Sequence, residues 1–374
     1  MSFFVPYSDL ANEAAANKFP LLSACERVIL SGRYILGPEL ATFEREFADY
    51  CGTRFAIGTS SGTAALVITL RAFGWPAGTE VITVPNSFVA TTAAIVLAGA
   101  KPVFVDIGND GNIDPDQIES AITERTRVIL PVHLTGRPAR MLEIARIAKR
   151  HDLIVIEDAA QAIGASLGGK RVGGFGNAAC FSLNPLKNLH AYGDGGVITT
   201  DDEVLYRRLL RERNHGLIDR EQCEFFSFNC RLDELQAAMV RVQLPQLDGQ
   251  TEARRRAAFR YNESLAAFGE VPAEGTGEYC VYQTYVLKVD RRDALQRHLR
   301  ANGVEALVHY ATTIDQQPAA AGFAQSCDTL QRARAHVERI LSLPLYPGIT
   351  LAQQERVVEL VSGFFTRKPL ICRI

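Results

Sequence analysis

The chain has 374 residues, of which 47% are hydrophobic and 22% charged, with a formal net charge of −2. That length allows one large or two moderate domains with an ample core, and the near-neutral balance excludes the basic footprint of a nucleic-acid or membrane-surface partner. The eight cysteines form no Cys-x-x-Cys pair, so no zinc site or disulfide framework is expected; inert thiols in a reducing cytoplasm fit them.

Along the chain, the opening "MSFFVPYSDLANEAAANKFP" lacks a basic start and a sustained apolar run, so no secretory signal is expected. The N-terminal segment, to about residue 30 or 40, is expected to pack with a C-terminal unit rather than with its own neighbours in the chain. From residue 55, short β-rich runs alternate with helical stretches. "EVITV" (80–84) leads to a helix in "SFVATTAAIVLAG", followed by "PVFVDI", "TRVILPVHL", a helix through "ARMLEIARIAKRH", "LIVIED" (153–158), "AACFSL" (178–183) and "GGVITT" (195–200). The longest apolar stretch, "FVATTAAIVLAGAKPVFVDI", is interrupted by threonines, Gly99 and Lys101 and does not suit a bilayer span. The strand candidates are apolar on both faces, as strands covered by helices on each side must be, and their alternation with helices predicts a mostly parallel α/β sheet. Ligands in such sheets collect at the carboxyl ends of the strands.

Residues 231–268 read as a long helix kinked at Pro245, and "GEVPAEGTGEY" reads as a linker. Beyond it, strands in "VYQTYVLKV" and "VEALVHY" flank the helix "RRDALQRHLRANG", and further helices are expected around 328–341 and 351–364. The implied division is a large α/β domain over 1–250 and a small α+β domain over 251–374.

Three features fall where strand ends should converge. "GTSSGTAAL", from Gly58 to Leu66, puts small residues and hydroxyls at a helix start, where unpaired N–H groups and the dipole favour a phosphate; an ordinary Ser/Thr cap is the plainer alternative. Asp158 ends "LIVIED", and a carboxylate there needs a cation or strong donors, either a cationic ring nitrogen or the N–H groups of the following turn. Lys187 sits in "CFSLNPLKNLHAYGDGG" with no acidic neighbour before Asp194. A buried amine loses its proton readily and becomes a nucleophile toward carbonyls. Phosphate cradle, strand-end carboxylate and strand-end lysine, in that order, are what pyridoxal phosphate requires for its phosphate, its ring nitrogen and its aldehyde.

The stretches "GRYILGPELATFEREFADYCGTRFAIGTSSGTAAL", "VITVPNSFVATTAAIVLAGAKPVFVDI", "IEDAAQAIGA", "FSLNPLKNLHAYGDGG" and "FNCRLDELQAAM" resemble the DegT/DnrJ/EryC1/StrS family of PLP-dependent sugar aminotransferases, of fold-type I. The resemblance implies a large PLP-binding domain with a mostly parallel seven-stranded sheet flanked by helices. It implies that Lys187 binds the cofactor covalently, Asp158 pairs with the pyridinium nitrogen, Gln161 meets the phenolic oxygen or ring and Phe88 stacks on the ring. Gly62, Thr63 and Ser182 would hold the phosphate, and Asn229 would reach the cofactor of a neighbouring subunit, so that a homodimer shares its active sites. The implied reaction is a two-stage transfer of an amino group from L-glutamate to a keto-sugar, most often nucleotide-linked, with pyridoxamine 5′-phosphate between the stages. A free keto-sugar or cyclitol ketone is an alternative acceptor, and a regulatory protein without turnover an alternative role.

Departures cluster near the implied substrate pocket. Asn184 stands where the family reads histidine before the proline, and Thr135-Gly136-Arg137 stand where an aromatic is usual after His-Leu. Relatives that dehydrate sugars have histidine in place of the lysine, and this chain keeps Lys187. His190, three residues on, reads as a solvent-exposed or satisfied structural group.

Overall fold

Eight strands build the central sheet of the computed structural model, which describes residues 4–323, 325, 326 and 329–366. We label them β1 (Phe55–Thr59), β2 (Glu80–Thr83), β3 (Lys101–Phe104), β4 (Thr126–Ile129), β5 (Ile154–Asp158), β6 (Ala178–Ser182), β7 (Gly196–Thr200) and β8 (Gln325–Ser326). Their order across the sheet is β1-β7-β6-β5-β4-β2-β3-β8. All neighbours pair parallel except β7, which runs antiparallel to both β1 and β6. The sheet thus has one strand more than the seven expected. The extra strand is two residues added beside Val103 and Phe104 at the edge, too short to carry a period in the sequence.

Adjacent residues of each strand point into opposite cores, which is why these runs are apolar throughout. Ile57, Val81, Val128, Ile156 and Ile198 pack on one face with Leu66, Ile68 and Leu70 of the helix Gly62–Ala72. On the other face, Ile82, Ile129 and Val155 meet Met141, Ile144 and Ile147, while Ala56, Phe181 and Val197 meet Leu40, Phe43 and Phe47. Helix Met141–Arg150 buries those three positions because they recur at helical spacing.

A further core gathers Tyr261, Leu265, Tyr285, Leu287, Leu295, Leu299, Leu341, Leu343, Val357 and Val361, and Val5 joins it through a bridge to Val304. The helix expected over 231–268 is two α-helices, Glu234–Gln243 and Leu247–Leu265, joined by a 3₁₀ turn at Leu244–Gln246. Pro245 supplies no N–H to the ladder and forces that turn. Leu247 packs in the core with Phe43 and Phe47, whereas Tyr261 and Leu265 pack with Val5. The expected helix 328–341 begins outside the described residues; its described part runs Gln331–Arg339 and stops there, because Ile340–Leu343 is a strand paired with Tyr285–Lys288. "VEALVHY" forms no strand: its bridges, Val304 to Val5 and Leu307 to Ser342, go to different segments and build no ladder. No described helix is long and apolar enough to cross a membrane.

Candidate active site

The parallel run of the sheet brings the ends of β1, β5 and β6 to one edge. Gly196, which opens β7, lies opposite both Thr59 and Ser182, so the start of the antiparallel strand joins that edge. A cavity of about 520 Å³ opens there, and Gly62, Thr63, Phe88, Asp158, Gln161, Ser182 and Lys187 all line it. Seven of the eight residues singled out from the sequence therefore converge. The eighth, Asn229, is exposed, bridges to Asn214 and lies outside this chain's cavity.

Asp158 ends β5 and is 4% exposed. Thr91 Oγ1 donates to its Oδ2 at 2.7 Å and Ala160 N–H to its Oδ1 at 3.2 Å, while Ser87 Oγ donates to Thr91 Oγ1 at 3.0 Å. Burial lifts this carboxyl above the usual aspartate value, and those donors and the Lys187 amine only oppose the rise. The plainer reading, a carboxylate satisfied by the next turn, accounts for one oxygen. The hydroxyl relay from Ser87 through Thr91 accounts for the other, and neither brings a full positive charge.

Lys187 lies in the loop after β6. Its N–H donates to Asn184 O at 2.8 Å, and among the described residues its Nζ has no hydrogen bond or ion pair. Burial holds the amine below the ordinary lysine value, with Asp158 pulling the other way.

Gly62 begins its helix behind the cap Ser61, whose Oγ accepts from Ala64 N–H at 3.0 Å. A Cβ on Gly62 would stand 2.8 Å from Ser182 Cβ, so helix start and strand end touch at the cavity wall, and a helix start is where backbone donors lack intrahelical partners. Gly62→Ala is expected to destabilise the protein by about 1–3 kcal/mol through overpacking, read as a lowered Tm, and to loosen any phosphate held there.

Phe88 is 53% exposed at the mouth, with its ring 5.4 Å from that of Tyr310. Gln161 Oε1 accepts from Thr135 N–H at 2.6 Å and its Nε2 donates to the Tyr310 hydroxyl at 3.3 Å. Thr135 thus acts on the site through its backbone, at φ 60°, and Arg137 faces away, forked onto Glu278. Asn184 Oδ1 accepts from Leu186 N–H at 3.2 Å and helps shape the lysine loop. His190 is buried beside Tyr192, and burial holds its imidazole below the usual histidine value.

A model of the DegT/DnrJ/EryC1/StrS aminotransferase family matches residues 18–362. The chain belongs to this family. It is 42% identical over 366 residues to a pleiotropic regulatory protein of Geobacillus stearothermophilus, with 96% of this chain and 98% of that protein covered. It is 40% identical over 366 residues to the dTDP-3-amino-3,4,6-trideoxy-alpha-D-glucose transaminase of Streptomyces venezuelae, with 97% of each covered. Among solved structures, S. venezuelae DesV in complex with a ketimine intermediate superimposes with a TM-score of 0.95 at 40% identity, over 98% of this chain and all of that one.

The cavity of this aminotransferase has walls that carry no mark in the sequence. Tyr7, His309, Tyr310 and Gln283 line it from segments far from the strand ends. Tyr7 donates to Thr284 Oγ1 at 3.4 Å and stands 5.5 Å from the His309 ring. Burial and the nearby Lys187 push His309 down to about 4, so its ring is neutral at pH 7. Thr91 does have a local signal, a hydroxyl in the first turn of an apolar helix; the others have none.

Proposed function

We propose that this family member transfers an amino group from L-glutamate to a keto-sugar carried on a nucleotide, in two half-reactions at one site that binds pyridoxal 5′-phosphate. The observation that carries the reading is one cavity that holds a half-buried lysine and a buried carboxylate, each without an ion-pair partner among the described residues. The residues fit the cofactor. Gly62, Thr63 and Ser182 form a cradle that a single Cβ would fill, the relay-held Asp158 lacks the cation a pyridinium provides, and Phe88 and Gln161 flank the space between. When bound, the cofactor supplies an electron sink for the carbanion left by deprotonation of the donor.

The rest of the chemistry belongs to the chain. Lys187 Nζ would hold the cofactor at rest; once free it would remove the proton from the donor's Cα and, in the second half-reaction, deliver a proton to the acceptor carbon. Burial favours the uncharged form that this role requires. Asp158 would keep a proton on the ring nitrogen, placing a fixed negative charge where positive charge must persist. The neutral rings of His309 and Tyr310 add no charge to the wall. Glutamate takes its new carbonyl oxygen from one water and leaves as 2-oxoglutarate, and the acceptor carbonyl becomes an amine with its oxygen released as water.

We further infer a cytoplasmic homodimer. Helix Lys18–Ser31 buries Leu21 and packs Ala24 and Val28 against Leu235, Ala238 and Val242, yet it leaves Phe19, Leu22, Ile29 and Leu30 exposed. A helix apolar on all sides calls for a second cover. In that assembly the partner subunit's Asn229 reaches the phosphate.

Incubation with glutamate and a panel of ketones tests the reading. Turnover of a nucleotide-linked 3- or 4-keto-sugar with release of 2-oxoglutarate is expected; turnover of free keto-sugars or cyclitol ketones alone would move the acceptor class. The name of the G. stearothermophilus relative favours a regulatory role as the second reading, and a chain that binds the cofactor yet never releases 2-oxoglutarate would support it.

A further inference from the structure

One side chain grips the backbone on both sides of the lysine. Gln283 Nε2 donates to Leu186 O at 2.5 Å, and Gln283 Oε1 accepts from Asn188 N–H at 2.7 Å. A single planar amide therefore satisfies the peptide groups flanking Lys187, as a neighbouring strand would. The loop after β6 has no neighbouring strand at that point. Gln283 lies 95 positions from Asn188 and is 8% exposed, so the grip is long-range and largely dry.

The segment that carries Gln283 is itself fastened to the opposite wall. Val281 N–H donates to Gly136 O at 2.9 Å and Thr284 N–H to Thr135 O at 3.4 Å, while Thr135 N–H holds Gln161. Gly136, at φ 92°, has no room for a Cβ, which would lie 2.7 Å from Val281 Cγ2 and 2.9 Å from Gln283 N. Residues 281–284 thus set Lys187 from one side and Gln161 from the other.

We propose that Gln283 is the positioning residue for Lys187, fixing the base of the side chain so that the amine stays inside the cavity rather than in solvent. The proposal rests on the reading of Lys187 as the reactive amine. The titratable groups that line the cavity with this amine are Asp158 on β5, Asp194 beyond the lysine loop, His309 and Tyr310 on their own segment, and Tyr7 near the N-terminus. Asp158 favours the ammonium form and burial disfavours it. Releasing the clamp leaves Asp158 in place and removes the burial, so the amine regains its proton at higher pH.

The test labels the full-length chain, freed of cofactor, with acetic anhydride across a pH series and follows each lysine by peptide mass spectrometry. In the wild type, Lys187 should react with a lower pH midpoint than exposed Lys149. Gln283→Leu removes both hydrogen bonds at similar volume, and the Lys187 midpoint should rise; each unit of rise lowers its labelling near neutral pH by about tenfold. Gln283→Glu keeps the acceptor for Asn188 N–H, loses the donor to Leu186 O and adds a negative charge, so the midpoint should rise there too. Lys149 should not change in either variant. A role in stability alone would lower Tm and leave the midpoint where it was. If either variant melts cooperatively and its Lys187 midpoint equals that of the wild type, the proposal is overturned. If wild-type Lys187 itself labels like Lys149, the reading beneath the proposal falls instead.

Discussion

Lys187→Ala is expected to abolish amino transfer, with a loss in kcat of roughly 10³-fold or more, because in the proposed reaction one amine serves as both nucleophile and proton carrier. Two measurements check it. Borohydride reduction of the loaded wild type followed by peptide mapping should place the cofactor's mass on the peptide containing residue 187, and the variant should show none. Steady-state assays with glutamate and a keto-sugar nucleotide should show no release of 2-oxoglutarate above background. Lys187→Arg separates charge from chemistry. A guanidinium keeps a cation near Asp158 but holds its proton at every accessible pH and cannot attack a carbonyl. It should be as inactive as alanine. Turnover retained in either variant would remove Lys187 from the reaction.

Most of the residues that the sequence makes legible share one property: they lie at the end of a strand, in the turn just after it or at the start of a helix packed on the central sheet. Asp158 and Ser182 are the last residues of β5 and β6, Gly62 is the first of its helix, and Lys187 follows β6 by a single turn. Once the apolar runs are read as parallel strands, the convergence of their ends follows from topology. The strands themselves are readable because helices cover both faces and leave no polar alternation. Tyr7, Gln283, His309 and Tyr310 obey no such rule, since they arrive from the N-terminal segment and the region beyond residue 280, where nothing local marks them. Ile340 and Leu341 read as helix in the sequence because two apolar residues after a helix look like its continuation, whereas they open a buried strand. Asn184, Thr135 and Arg137 are visible as departures, but their geometry is not. Thr135 acts through its N–H, which no side-chain pattern reports.

Asp158→Asn is expected to move stability and activity in opposite directions. In the cofactor-free chain the carboxyl is buried, and its pKa is raised above the usual aspartate value. The sign follows from linkage. The neutral acid is favoured on folding below the ordinary value, and that advantage is lost as pH rises through the raised value. At neutral pH, above the ordinary aspartate value, burying this carboxyl therefore carries a net cost. An amide at this position avoids that cost and keeps the contacts: its oxygen can accept from Ala160 N–H, and its NH₂ can donate to Thr91 Oγ1 once that hydroxyl turns. Thermal unfolding of cofactor-free protein should give Asp158→Asn the higher Tm at pH 7, with the difference vanishing as pH falls below the ordinary aspartate value. In the loaded enzyme the order should reverse. Under the proposed role an amide could not hold the proton on the ring nitrogen, and kcat should fall by about 10²–10³-fold, the usual loss when one preorganised electrostatic contact is removed. Such a residue is destabilising until its partner arrives, a pattern expected of a site built for a cation. A variant with unchanged kcat, or one whose cofactor-free form melts lower than the wild type at pH 7, would show that Asp158 is a structural carboxylate already satisfied by Thr91 and Ala160.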